Sequence, residues 1–326
     1  MTHGLSAKTL EQVRALDAGV AFADVRDRTR IEIAGGDRVA FLHGFCTNDI
    51  KSLAVGGGCE AFVTNLKGKV LGHVFVFCGQ QTLALDGTRK QTERIVAHLD
   101  RYIIREDVEL RDIGPETGEW LVGGSAATAL LARLVDREIP APLLSHSECH
   151  LDGVRVGIRR VPLLVEPAFL IVCSKADISQ IGTALADAGA VACEAEALEI
   201  GRIEAGFPRY GRDISEDNLP QEVNRDAQAI NFTKGCYLGQ ETVARIDALG
   251  HVNRMLCGLR WERSEVPAAG ESLIVDERVV GQITSAAWSP RVEAPLTLAY
   301  VRREFARIGS RIATNLGEAE VVALPV

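Results

Sequence analysis

The amino-acid sequence predicts an α+β protein: two lobes with helices against antiparallel sheets, followed by a small all-β unit. Three observations predict it. Strand-like and helix-like segments alternate over residues 1–115, and the same order recurs over residues 116–253. From residue 254 to residue 326 only short β segments remain.

In the first lobe a polar helical stretch spans Lys8 to Leu16. Arg30 to Gly35 alternates apolar and polar residues, as a half-buried strand does. After Gly36-Asp37, the spacing of Val39, Phe41, Leu42 and Phe45 predicts an amphipathic helix. Ala61 to Thr64 reads as a strand ended by a turn at Asn65 to Lys69. Val70 to Cys78 and Thr82 to Leu85 form a strand pair around Gly79-Gln80-Gln81. A helix from Gln91 to Tyr102 and a strand near Val108 to Arg111 complete the alternation of strands and helices in this lobe.

The second lobe opens with the strand Trp120 to Gly124 and a helix through Leu134. No G-x-G-x-x-G spacing occurs there, and antiparallel-looking strands follow, so a dinucleotide fold is rejected. Those strands are Cys149 to Leu151, Val154 to Arg159 and Phe169 to Cys173, with helices at Ser179 to Ala188 and Ala195 to Gly206. Arg212 to Thr233 is a long loop by its polar composition. The C-terminal β segments are Met255 to Trp261, Ser272 to Val275, Val279 to Ala287, Thr297 to Val301 and Val321 to Leu324, as in a small sandwich or barrel.

A chain of 326 residues with 47% apolar and 25% charged residues is a globular protein of more than one core. A net charge of −8 argues against direct nucleic-acid binding, which rests on neutralising phosphates. The eight cysteines form no C-x-x-C pair, and several sit in apolar runs, which predicts reduced thiols, no metal site and a cytoplasmic location. The first six residues lack a secretory core, and no apolar run nears the ~20 residues a membrane span requires.

The most informative run is Lys234-Gly235-Cys236-Tyr237-Leu238-Gly239-Gln240-Glu241-Thr242-Val243-Ala244-Arg245. A thiolate is the reactive form of cysteine, and a nearby cation such as Lys234 favours it, so Cys236 and Lys234 are the candidate catalytic pair. Gly235 and Gly239 allow turns or close approaches, and Glu241 and Arg245 share a helix face at four residues' spacing. A cysteine of this kind is also compatible with a small buried hydrophobe.

The run resembles the K-G-C-Y/F-x-G-Q-E signature of the YgfZ family of tetrahydrofolate-binding proteins. These are relatives of the glycine-cleavage T protein, an aminomethyltransferase, and include mitochondrial iron–sulfur assembly factors. Gly201 to Gly211 looks like the family's R-x-E-A-G-x-x-x-Y-G segment, Phe41 to Asp49 like its F-L-x-x-x-x-T-N-D, and Val280 to Ser285 with Ser289-Pro290 like the G-x-V-T-S…S-P of the T-protein barrel. The resemblance implies a T-protein-like fold, two α+β lobes around a folate pocket and a C-terminal β-barrel. It places the folate-binding glutamate at Glu204, with Arg202 for the glutamyl tail, Tyr210 for ring contact, and Asn65, Lys69 and Tyr102 as further candidates. Without the resemblance, Glu204 reads as a helix-surface carboxylate.

The resemblance also implies a departure. Where the aminomethyltransferases carry an aspartate that helps drive transfer, this sequence has Gly72, with His73 beside it on the other strand face. The implied function is therefore a protein that binds tetrahydrofolate or a one-carbon derivative and supports iron–sulfur cluster assembly or repair, and with it tRNA modification, with iron–sulfur proteins or cluster carriers as partners. The alternatives are a folate-dependent aminomethyl- or methyltransferase, a thiol hydrolase on Cys236 with His251, and a scaffold for a cluster carrier.

Overall fold

The computed structural model describes residues 4–26, 28–88 and 91–326; the start of the N-terminal segment, residues 1–3, lies outside them. In chain order the elements begin with α1 (Ala7–Ala18), β1 (Ala21–Asp24), β2 (Arg28–Ala34), α2 (Arg38–His43), β3 (Gly58–Thr64), β4 (Val70–Cys78), β5 (Leu83–Thr88), α3 (Thr92–Asp100) and β6 (Glu109–Asp112). There follow β7 (Thr117–Gly123), α4 (Ala127–Leu134), β8 (His146–Leu151), β9 (Val154–Val161), β10 (Ala168–Ser174), α5 (Ile178–Asp187), β11 (Val191–Ala192) and α6 (Ala195–Glu204). The chain ends with α7 (Asp226–Ala229), α8 (Gln240–Leu249), β12 (Arg254–Trp261), β13 (Ser272–Val275), β14 (Arg278–Ser289), β15 (Ala294–Arg302), β16 (Arg311–Thr314) and β17 (Gly317–Val322).

Three sheets result. The first has the order β3-β4-β5-β2-β6, the second β11-β1-β7-β10-β9-β8, and the third β13-β14-β15-β12-β17-β16. The first is antiparallel throughout; the second is antiparallel apart from its β1–β11 edge pair. The ends of the third are joined by two bonds, Asn315 N–H to the Ile274 carbonyl and Ile274 N–H to Asn315 Oδ1, so this sheet nearly closes into a barrel. The T-protein-like arrangement of two α+β lobes and a C-terminal barrel is therefore present.

Strand alternation explains how the lobes meet. On β4, Val74, Val76 and Cys78 pack beneath α2 and α3, whereas Phe75 and Phe77 face Leu121, Leu164 and Leu170 of the second lobe. All nine residues of β4 are buried, which is why its sequence reads as an apolar run. On the second sheet Phe22, Val122, Phe169 and Ile171 face α4 and α5, and Leu121 and Leu170 face the first lobe. Burying each such Phe or Leu stabilises by roughly 1.5–3 kcal/mol. The two sheets thus lie face to face with helices outside.

Two segments cross between lobes. Helix α1, capped by Ser6 accepting from Thr9 N–H at 3.0 Å, leads into β1, which joins the second sheet between β7 and β11. Residues 207–250 return to the first lobe, where Tyr210, Ile214, Val223, Ala229, Ile230 and Val243 pack on Phe62 and Val70. The stretch expected as a polar loop therefore carries a 3₁₀ turn at Pro220–Val223, helix α7 and a small core of its own.

Candidate functional site

Between the lobes the facing surfaces are not wholly apolar. His73 on β4 stacks between Phe62 and Phe207, with ring centroids 5.0 and 5.3 Å away, and its Nε2 lies 2.6 Å from Oε1 of Glu60 on β3. Arg225 completes the cluster: its guanidinium holds both Glu60 oxygens and lies over the Phe207 ring at 5.0 Å. Burial alone would raise the Glu60 carboxyl, but Arg225 and then His73 hold it down at about 2. A few strands away, Arg28 and Arg159 bind Asp86 at 2.6 and 2.9 Å, and Arg30 lies 3.3 Å from Glu119.

Two cavities near this waist share Leu164. One, of about 510 Å³, is lined by Arg160, Val161 and Glu166 of the second lobe, Arg225 of the returning segment, and Leu256 and Leu324 of the barrel region. The other, of about 450 Å³, is lined by Val25, Arg28, Leu121, Glu199 and Arg209 among others. His73 and Phe207 border a cleft of about 10 Å³ with Arg28 and Asp86.

The residues singled out by sequence fall into separate places. Arg202 is buried, and its five donors are all engaged: two on Glu199, one each on Asp213, the Phe207 carbonyl and Ser285 Oγ. It ties α6 to the barrel and keeps no donor for a glutamyl tail. Glu204 is buried as well; its Oε1 accepts from Ser289 Oγ at 2.5 Å, its Oε2 lies 3.9 Å from Arg291, and burial raises its carboxyl above the ordinary range. Neither cavity lining includes it, although Ala205 and Gly206, next along, border the larger one.

Tyr210 is buried on the first lobe, with its hydroxyl bonded to Arg94. Asn65 closes its own turn, accepting from Lys67 and Lys69 N–H at 2.9 and 3.0 Å, and Lys69 donates to the Asp217 carbonyl. Tyr102 packs on Phe45 and His98 at the end of α3. Gly72 faces α3: a Cβ there would lie 2.5 Å from Ile95 Cδ1 and 3.2 Å from Gln91 Oε1. The side chain that β4 presents to the waist at this point is His73's. Glycine at 72 is thus set by packing.

The motif segment lies on the first lobe. Lys234 donates to the carbonyls of His43, Cys46 and Asn48 at 2.6, 2.7 and 2.9 Å, which uses all three ammonium protons, and it sits 4.8 Å from the Tyr237 ring centre. The expected direct pairing of Lys234 with Cys236 is not found; the lysine anchors the loop. Tyr237 N–H donates to Gln240 Oε1, and Leu238 N–H to the Gly44 carbonyl. Gly239 has φ 84°, and a Cβ there would strike the Asn65 carbonyl oxygen at 2.3 Å, so glycine is required where the motif meets the Asn65 turn. Gly235 lies beside His43, and Cys236 is exposed. Glu241 and Arg245 are exposed on α8, and no ion pair joins them among the described residues. Sequence reasoning missed Glu60, Arg225 and His43. A carboxylate inside the apolar strand Ala61-Phe62-Val63 is a readable sign of a buried pair for the first; the others carry no local signal.

Residues 3–234 match the GCVT N-terminal domain, and residues 254–326 match the glycine cleavage T-protein C-terminal barrel domain. The chain is 28% identical over 309 residues to a chloroplastic protein of Arabidopsis thaliana, covering 94% of this chain and 70% of that one. It is 25% identical over 326 residues to the aminomethyltransferase of Geobacillus kaustophilus, covering 97% and 89%. The fold matches the crystal structure of glycine cleavage system aminomethyltransferase T from Bartonella henselae, with TM-score 0.88 at 19% identity over 97% of this chain and 89% of that one. With a family model spanning well over half its length, the chain belongs to the glycine cleavage T-protein family.

Proposed function

We propose that this chain binds tetrahydrofolate, or a one-carbon derivative of it, in the 510 Å³ cavity, and that it acts as the YgfZ-like members do, in support of iron–sulfur cluster assembly or repair. The observation that carries the folate reading is that the second lobe, the returning segment and the barrel region converge on this one cavity. Its volume is within the range of small-molecule sites. The donor set fits a reduced folate. Val161, Pro162, Leu256 and Leu324 supply apolar walls for the pterin and benzoyl rings, Glu166 and Asn224 suit the amino and amide edge, and Arg160 and Arg225 suit the glutamyl carboxylates. When bound, the folate would supply a one-carbon carrier.

A calorimetric titration with tetrahydrofolate under reducing conditions tests this. Wild type is expected to bind, and Arg160→Ala to weaken binding by about tenfold, the loss of one charge-assisted contact. Glu204→Ala is expected to change it less than twofold, because Ser289 already occupies that carboxylate. Wild type without measurable binding would sink the folate reading. The cluster role is tested by the activities of iron–sulfur enzymes in cells lacking the protein; unchanged activities would remove it.

A second reading, folate-dependent aminomethyl transfer, is favoured by one observation. His73, not Gly72, faces the waist, so the glycine removes no acid/base group from that side. Turnover of an aminomethyl donor with tetrahydrofolate would establish this reading.

A further inference from the structure

We propose that His43 and Asp49 complete a reactive thiol site with Cys236, in which His43 takes the thiol proton and the reaction partner is an electrophilic disulfide sulfur. The inference does not depend on folate binding.

The geometry comes from two anchors. Lys234 Nζ grips the carbonyls of His43, Cys46 and Asn48, and Leu238 N–H holds the Gly44 carbonyl at 2.9 Å, while Thr64 Oγ1 donates to the Leu238 carbonyl at 2.6 Å. The loop carrying Cys236 is thus pinned on both sides to the stretch that carries His43. His43 is only 7% exposed. Its Nδ1 has no hydrogen-bond partner among the described residues and lies 3.2 Å from Asp49 Oδ1, close enough for the carboxylate to orient the ring. Its Nε2 points at the motif: a Cβ built on Gly235 would lie 3.8 Å from it. Cys236 is one Cα step, ~3.8 Å, further along.

The electrostatics suit a base. Burial lowers the His43 pKa, as do the charges of Lys234 and Lys51, while Asp49 opposes them, so the ring is neutral near pH 7 and can accept a proton. Asp49 itself is held by the N–H groups of Lys51 and Ser52. A sulfur electrophile fits better than an acyl carbon. The N–H groups of Tyr237 and Leu238, next after the thiol, already serve Gln240 and Gly44, so they are not free to bind an oxyanion. In thiol–disulfide exchange the charge instead departs with the leaving sulfur.

The step balances. The Cys236 thiol gives its proton to Nε2, its sulfur bonds one sulfur of the disulfide, the old S–S bond breaks, and the departing thiolate takes the proton back from the imidazolium. One disulfide and one thiol become a mixed disulfide and a new thiol, with no net oxidation. The other seven cysteines are buried or half-buried; burial pushes Cys46 up to about 11 and Cys193 up to about 12, which leaves Cys236 as the accessible thiol.

The test follows Cys236 modification by peptide mass spectrometry, with oxidised glutathione and, separately, iodoacetamide as probes between pH 5.5 and 9. His43→Ala is expected to slow glutathionylation at pH 7 by about tenfold and to move the rate–pH profile to that of an ordinary thiol. His43→Gln keeps a polar side chain of similar reach and is expected to show the same loss, which excludes misfolding as its cause. Asp49→Asn is expected to slow the reaction about threefold, as the loss of a positioning residue. If Cys236 in His43→Gln reacts at the wild-type rate with the wild-type profile, the assignment is overturned.

Discussion

Glu60 and Glu119 are wholly buried carboxylates, one on β3 of the first sheet and one on β7 of the second, yet their pKa values move in opposite directions. Both pay the same kind of desolvation penalty. Glu60 has two partners to itself, the Arg225 fork and His73, and stays ionised. Glu119 shares Arg28, Arg30 and Arg159 with Asp86, and its contacts to them are 3.5, 3.3 and 4.0 Å. Its Oε1 has no hydrogen-bond partner among the described residues, and burial together with the Asp86 charge pushes its carboxyl up. Burial therefore does not decide whether a carboxylate keeps its charge. The number of bonds made to the charged form, and the distance to the next negative charge, do.

The comparison breaks most directly at Glu60. Replacing it by Gln leaves Arg225 and His73 buried beside a neutral amide, and the expected loss is about 3–5 kcal/mol, read from urea unfolding at pH 7. The pH dependence has a definite sign. The folded carboxyl titrates at about 2 and the ordinary value is 4.5, so its contribution is complete above 4.5 and is lost as pH falls from there toward about 2. Wild type should lose stability across that window, and Glu60→Gln should lose much less. A variant with the wild-type acid limb would show that another carboxylate governs it.

The difference between these two sites was not readable from sequence, and the reason is physical. Alternation made β2 and β9 legible, and short apolar runs did the same for β4, β7 and β10, whose faces pack on a helix layer on one side and on the other lobe on the other. Strand β1, Ala-Phe-Ala-Asp, is four residues long and carries too little pattern to declare that it pairs with Trp120 to Gly123 across the lobe boundary. Arg212 to Thr233 looked like a solvated loop because its apolar residues are scattered, and only tertiary packing gathers Ile214, Val223, Ala229 and Ile230. The motif from Lys234 to Glu241 stood out as a string. Its neighbour His43 lies 191 residues upstream of Lys234, a separation no local rule spans. The lysine's proximity in sequence pointed to the thiol, whereas three carbonyls claim it in space.

A steric control separates packing from charge on the same strand. Gly72→Ala places a methyl 2.5 Å from Cδ1 of Ile95, a fully buried branched side chain with little room to turn. It also crowds Gln91, whose side-chain amide bonds the His73 N–H and carbonyl at 2.8 and 2.9 Å in place of a strand neighbour. The expected loss is about 1–3 kcal/mol. Unlike the change at Glu60, it should be the same at every pH between 3 and 8, because no ionisable group is removed. A loss that grows or fades with pH would mean that Gly72 acts through the His73–Glu60 pair.

At pH 5 the smallest effect is expected at Glu119. A carboxyl raised in the folded state is protonated there while the unfolded chain ionises, so folding becomes less favourable as pH rises from 4.5 toward the folded value. Glu119→Gln supplies a neutral group of the same shape. At pH 5 its melting temperature should match wild type, with a difference within about 1 kcal/mol, since both carry an uncharged side chain. Between pH 5 and pH 8.5 wild type should decline while the variant stays flat, so the variant becomes the more stable protein at the alkaline end. If Glu119→Gln instead loses several kcal/mol at every pH, Glu119 is an ionised partner of the three arginines, as Glu60 is of Arg225, and the contrast between the two sheets disappears.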